Sequence, residues 1–219
     1  SQWSIDAYDA DGNVAYSLNS SDIAIGYVNG SYTMARITGP ISAGEIFTGS
    51  GERYSGSVLN GQSFKLWNYD NWSNGTDSYV NVPLLHSTNG YSLFYNSTYG
   101  ANADIGQTDA GRYSLSFNGP DLDFFIWTDT PLENIKSYTS LTGKPATAPK
   151  WAFRYWAGAN ASYWTDDANT ATTLFTDMLD GYKNLGTMPS AIYGEGVPMK
   201  TKSFYNLAKK YSVNMLGWN

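Results

Sequence analysis

The sequence predicts a chain of two unlike parts. An antiparallel β-sandwich is expected over residues 1–128 and the start of an α/β domain with a parallel sheet over 151–219, joined by a helix and a proline-containing connector at 129–150. Three observations predict this. Short runs of β-branched and aromatic residues, separated by Gly, Asn, Asp and Ser turns, fill the first part. The apolar period changes from two to 3.6 after residue 128. Pro145 and Pro149 then punctuate a stretch with no apolar period, which reads as a stiff boundary segment.

In the first part the expected strands are the hairpin within 3–18, then "IAIGYV", "SYTMARI", "YVNVPLLHS", "YSLFYN", "RYSLSF" and "DLDFFIW". At the hairpin tip Asp9, Asp11 and Asn13 alternate as calcium ligands do. Val14 stands where such a loop needs glycine and no glutamate closes it, so a plain turn is expected.

The helix over "TDTPLENIKSYTSL" is predicted from Thr130 as N-cap, Pro131 at the first helical position and Glu133 closing a capping box, with Leu132, Ile135 and Tyr138 on its apolar face. After the connector, "WAFRYWAGA" is a buried-strand candidate. A helical stripe then runs from Asp166 through Ala171, Leu174, Phe175, Met178, Leu179, Tyr182 and Leu185 to a stop at Gly186. "SAIYGEG" is the second strand; Phe204, Leu207, Ala208 and Tyr211 mark the second helix, and "VNMLGWN" the third strand. Three parallel strands leave exposed edges, whereas parallel sheets are usually long or closed. The chain is therefore expected to be the front of a longer protein.

Composition narrows the function classes. The 219 residues are 42% hydrophobic and 15% charged, which suits a filled core rather than disorder. Aromatics reach 16%, with 18 Tyr and 8 Trp among abundant Asn, Ser, Thr and Gly, a mix found on carbohydrate-active surfaces. The net charge is −6 and the 13 basic residues are scattered, so nucleic acid is not an expected partner. No apolar run approaches the ~20 residues of a membrane-spanning helix, so no membrane partner is expected. The absence of cysteine excludes disulfides and thiolate sites, and a single histidine, His86, excludes a multi-histidine metal site; no metal or cofactor is expected. Sequons at Asn19, Asn29, Asn71, Asn74, Asn96 and Asn160 are compatible with an extracellular or cell-surface protein.

Four stretches carry a family resemblance. "GSGERY" (49–54), "LWNYD" (66–70), "VPLLHSTNGYSLFYN" (82–96) and "YTSLTGKPATAPKWAF" (138–153) resemble, in order and spacing, segments of glycoside hydrolase family 31, the α-glucosidase and α-glucosyltransferase family. The resemblance implies a β-sandwich followed by a (β/α)8 barrel, with 151–219 its first three strands. It implies retaining hydrolysis or transfer at an α-glycosidic bond of an oligosaccharide. Both catalytic aspartates belong to later barrel strands, so they are expected beyond Asn219 and this piece alone is expected to be inactive.

Barrel sites form at the C-terminal ends of strands, so strand ends in 151–219 can still face substrate. Glu195 matches a position where the family usually has an Asp that holds sugar hydroxyls; a solvated or structurally bonded acid is the other reading. Trp156, taken to close the first strand, and Trp218, closing the third, suit a sugar's apolar face or the barrel core equally, with Tyr193 a further wall candidate. Asp70 and Trp72 lie in a sandwich loop that the family can lean over the barrel mouth, ordinary loop packing being the alternative. Arg154, within an apolar strand, is expected to pair with a carboxylate. Glu52 and Arg53 are expected to form a structural pair, and His86 to be a satisfied strand-end residue.

A second function class competes with the enzyme: a non-catalytic carbohydrate-binding β-sandwich module. Three βα-type strands after the sandwich argue against it. In a third reading the isolated chain is inert until the missing strands, from the same polypeptide or a complementing fragment, are supplied.

Overall fold

A computed structural model describes residues 2–69, 75–119, 121–159, 167–195 and 197–218. The chain divides into two compact units, 1–144 and 145–219.

In the first unit, β1 (Ser4–Tyr8) and β2 (Val14–Asn19) form a hairpin. Asp9 closes its turn: Oδ1 accepts the backbone N–H groups of Asp11 and Asn13 at 3.0 and 2.8 Å, as an Asx turn rather than a cation loop. Five antiparallel strands make one sheet: β3 (Ile23–Val28), β4 (Ser31–Pro40), β10 (Arg112–Phe117), β9 (Ala101–Ile105) and β6 (Gln62–Leu66), in that spatial order. Four make the other: β11 (Phe124–Trp127), β8 (Tyr91–Tyr95), β7 (Leu84–Ser87) and β5 (Phe47–Gly49).

Alternation builds the core between them. Tyr113, Leu115 and Phe117 of β10, Ala103 and Ile105 of β9, and Phe64 of β6 meet Phe47, Leu85, Leu93 and Tyr95 from the second sheet in one buried cluster. Strand β8 is buried on both faces, because its outer face is covered too: Phe94 stacks with Phe125 and meets Tyr138 edge-on, ring centroids 5.0 Å apart. Tyr138 belongs to α1 (Pro131–Thr142).

The N-cap and Pro131 of α1 stand where the sequence puts them, but its buried face differs. Leu132 and Ile135 are exposed, while Asn134 is buried and donates to Ser92 Oγ (2.8 Å) and to the Asp129 carbonyl (2.9 Å). The expected capping box also lacks its return bond. Asp129 Oδ1 accepts the Thr130 N–H at 2.6 Å, and Glu133 pairs instead with Lys136. The expected strand over 79–87 shortens to β7, and β5, β6 and β9 were not among the expected strands.

Two polar groups organise the sandwich interior. Buried Glu45 accepts from the Ser42 N–H and the Tyr91 hydroxyl, both at 2.8 Å, and from the Ser87 hydroxyl. Burial and the neighbouring Glu45 push the Tyr91 phenol far above its ordinary range, and burial pushes Tyr16 up to about 12. Gly49, Ser50 and Gly51 take φ of 107°, 64° and 87° in succession, and a Cβ on Gly51 would overlap the Val80 carbonyl oxygen.

The Arg53 guanidinium follows this turn. It donates to the Thr76 carbonyl (2.5 Å), Asn81 Oδ1 (2.6 Å) and the Lys65 carbonyl (3.3 Å), and lies 3.8 Å over the Phe64 ring centroid. Burial lowers its pKa to about 10, with the charge of Asp77 acting in the opposite sense. The expected Glu52–Arg53 pair is therefore replaced: Glu52 is exposed and Arg53 is spent on carbonyls within the sandwich.

In the second unit, β12 (Trp156–Ala159), β13 (Ala191–Glu195) and β14 (Asn214–Trp218) form a parallel sheet in that order. Helices α2 (Ala168–Asn184) and α3 (Lys202–Tyr211) cover one face, burying Ala171, Phe175, Leu179, Phe204 and Leu207 against Ile192. Asp167 and Thr201 cap the two helices through bonds from the Thr170 and Phe204 N–H groups. Leu185, expected on the apolar stripe of α2, is 77% exposed because the helix has already ended. The expected strand over 151–159 starts only at Trp156; residues 150–153 form a 3-10 turn instead.

Two stability measurements check these arrangements. Gly51→Ala adds a steric overlap to a left-handed residue. It is expected to lower the unfolding free energy in urea by about 3 kcal/mol or more, against about 1 kcal/mol for Gly44→Ala, whose Cβ meets open space. His86 Nδ1 lies 2.7 Å from Ser92 Oγ, and burial holds its pKa below 6.5. The unfolded chain therefore binds this proton more readily. Stability from neutral His86 is expected to be complete above pH 6.5 and to fall as pH drops from there toward the lowered folded pKa. His86→Gln should flatten the urea-derived stability profile in that window.

Candidate functional site

The parallel unit has two distinct ends. Register pairs Trp156 with Ala191 and Ala191 with Asn214 at the start of the strands, and Glu195 with Trp218 at their finish. The starting end is tied shut: Ser190 Oγ donates between the Trp151 and Tyr155 carbonyls, 2.9 Å from each, and its own carbonyl accepts the Asn214 N–H and Nδ2.

Trp156 belongs to this closed end. It opens β12 rather than closing it, stacks on Trp151 with centroids 5.8 Å apart, and its Nε1 is buried without a hydrogen-bond partner among the described residues. Four residue steps at roughly 3.3 Å each separate this end of the sheet from Glu195. Trp156 is thus a packing residue at the wrong end for a strand-end site. Arg154 is corrected likewise: it caps the 3-10 turn, is exposed, and so needs no buried counter-ion.

At the other end the backbone of Glu195 is held from both sides. Ile192 packs among the helices, and the segment after the strand returns to bury Val197 and Met199 in the same cluster. Gly194 permits this, since a Cβ there would stand 2.6 Å from Met199 Sδ. Alternation puts Tyr193 on the face opposite Ile192, where its ring covers Gly158 of β12 so closely that no Cβ fits there. The helix-covered face is apolar, and the other carries Tyr193.

The structure describes the backbones of Glu195 and Trp218, which stand side by side at the strand finish. Asp70 and Trp72 lie outside the described residues. Strand β12 ends on Ala159 and β14 on Trp218, so Glu195 is the one acid these strand ends contribute. A retaining glycosidase needs two carboxylates about 5 to 5.5 Å apart. One acid beside aromatic residues can orient a sugar by hydrogen bonding and stacking, and a second carboxylate is required for bond cleavage. Among the described residues no group of three His, Asp or Glu side chains converges as metal ligands would.

The model of the glycosyl hydrolase 31 N-terminal galactose mutarotase-like domain matches residues 3–104. An α-xylosidase of Emericella nidulans is 34% identical over 159 residues, covering 72% of this chain and 20% of its own length. An isomaltosyltransferase of Sporosarcina globispora is 32% identical over 136 residues, 59% of this chain and 12% of that protein. The chain thus spans a fifth or less of these relatives.

Solved structures share the fold. The cycloalternan-forming enzyme of Listeria monocytogenes, in complex with a pentasaccharide substrate, matches 99% of this chain and 24% of its own with a TM-score of 0.80 at 18% identity. A Flavobacterium johnsoniae dextranase complexed with glucose matches 98% of this chain and 27% of its own, with a TM-score of 0.79 at 19% identity. The domain match, the segments shared with α-glycosidases and the sandwich fold together identify the chain as an N-terminal portion of a glycoside hydrolase family 31 protein.

Proposed function

We propose that this chain is the front part of a retaining α-glycosidase or α-glucosyltransferase, in which β12–β14 begin a (β/α)8 barrel and their finishing ends form part of the substrate wall. The observation that carries the reading is the register that sets Glu195 beside Trp218 at the end of the sheet where barrel sites form. The relatives named α-xylosidase and isomaltosyltransferase, and the neighbours complexed with glucose and a pentasaccharide, support an α-linked glucosyl or xylosyl oligosaccharide as substrate.

In this proposal two aspartates beyond Asn219 perform the chemistry. One attacks the anomeric carbon while the other gives its proton to the leaving oxygen. Water or a sugar hydroxyl, deprotonated by the second, then displaces the enzyme carboxylate. Glu195 accepts hydrogen bonds from sugar hydroxyls, and Trp218 and Tyr193 offer rings to the sugar's apolar face. Because Glu195 is one methylene longer than aspartate, it reaches further into the site and biases the choice between sugars.

The test uses the full-length enzyme and a panel of nitrophenyl α-glycosides. Glu195→Ala is expected to lower kcat/KM by about 100-fold, from the loss of charge-assisted hydrogen bonds worth about 3 kcal/mol. Glu195→Asp is expected to change the ratio of α-xyloside to α-glucoside hydrolysis. Unchanged rates and ratios in both variants would remove Glu195 from the site. Absence of activity in the full-length enzyme toward every α-glycoside would overturn the proposal as a whole.

A further inference from the structure

Within the sandwich unit, two adjoining cavities of about 320 and 410 Å3 open beside residues 96–99. They share Pro83, Ser97, Thr98 and Tyr99 as a common wall, so together they form one cleft with two compartments. Each is within the size range of small-ligand pockets, from about 300 Å3 upward.

The walls are built to stay in place. Trp67, in the first compartment, lies against Gly100, where an added Cβ would stand 3.2 Å from Cε3 of the ring. Tyr99 lies on Gly119 so closely that no Cβ fits between them. The amide rim is fixed from behind. Asn81 donates to Asn68 Oδ1 through its backbone N–H (2.9 Å) and its Nδ2 (3.1 Å), while its Oδ1 is held by Arg53 (2.6 Å). Both rings are nevertheless open to solvent, Trp67 at 59% and Tyr99 at 49%.

The chemistry of this lining selects a ligand class. Flat aromatic faces stand beside amides and hydroxyls of Asn68, Asn81, Ser97 and Thr98. Among the described residues no basic side chain lines either compartment, and Asp121, in the second, is the one acid. Phosphate, sulfate and uronate would find no counter-charge. A pyranose matches both features, with an apolar C–H face for the rings and a hydroxyl edge for the amides.

We propose that this cleft binds a neutral oligosaccharide, with two successive pyranoses lying on either side of Tyr99. The inference goes beyond the function proposed above, because every residue it uses lies in the sandwich unit, between Arg53 and Tyr138. It gives the sandwich its own hold on a glycan, as a means of keeping a long substrate near the enzyme.

Isomaltotriose and maltotriose are the probes, titrated into this chain by calorimetry and followed by the tryptophan indole N–H signals in 1H–15N spectra. A dissociation constant on the order of millimolar is expected, with the Trp67 signal moving and that of Trp156 unmoved. Trp67→Ala and Tyr99→Ala should each weaken binding about tenfold or more, while Tyr99→Phe, which keeps the ring, should stay within about twofold. Thermal melting of each variant shows whether it folds, and the Trp67 indole reports occupancy in the unsubstituted chain even if one does not. No heat and no Trp67 shift at tens of millimolar sugar would overturn the proposal. So would binding that survives both alanine variants, or a charged oligouronide that binds more tightly than its neutral counterpart. Failure here leaves the Glu195 rate measurements untouched, and loss of the Glu195 effect leaves the Trp67 shift untouched.

Discussion

The half-buried guanidinium of Arg53 is the constraint on which the loop-bearing side of the sandwich depends. A charge removed from water needs replacement hydrogen bonds, and Arg53 finds them on the carbonyls of Lys65 and Thr76 and on the amide of Asn81. Those acceptors belong to strand β6 and to the segment that returns toward β7. One side chain therefore fastens the loop after β6 to the sheet. Asn81, once held, fixes Asn68, and with it the rim of the cleft beside Trp67. The left-handed turn at Gly49–Gly51 is what delivers Arg53 to this position, close under the Val80 and Leu84 carbonyls, where only glycine fits.

The parallel unit works by a different principle. Its strands have one face committed to helices through Ile192, Phe175 and Phe204, and the opposite face carries Tyr193 over Gly158. Of the two ends, the starting one is occupied by Ser190, Trp151 and Trp156. The finishing one has Glu195 beside Trp218. Burial of Val197 and Met199 immediately after Glu195 anchors the backbone at that end.

Much of the fold was legible where local and tertiary signals agree. The runs 23–28 and 112–117 become β3 and β10 with those same bounds, and the stripe at Phe204, Leu207, Ala208 and Tyr211 becomes α3. Legibility failed where the reason for an element is its neighbour. Strand β9, "ANADI", looks polar and small, yet Ala101 and Ala103 are buried because the large rings facing them fill the space. In α1 the apolar spacing of Leu132 and Ile135 pointed to the wrong face. The buried position is Asn134, whose amide finds partners in Ser92 and Asp129 that no helical pattern encodes. The sequence puts Trp156 at the wrong end of its strand because "WAFRYWAGA" carries no mark of where the 3-10 turn gives way to β12.

For this protein the sequence by itself determined the order of elements, the change from an alternating to a helical period, the helix cap at Thr130, and the segments that tie it to its family. These are properties of neighbours along the chain, set by side-chain period and by capping. Only the tertiary structure decided which strand end Trp156 occupies, that Arg53 serves carbonyls rather than Glu52, and that Trp67 and Tyr99 line one cleft. Register, burial and the approach of a ring to a distant glycine depend on residues tens of positions away. Their energies arise only when those surfaces meet.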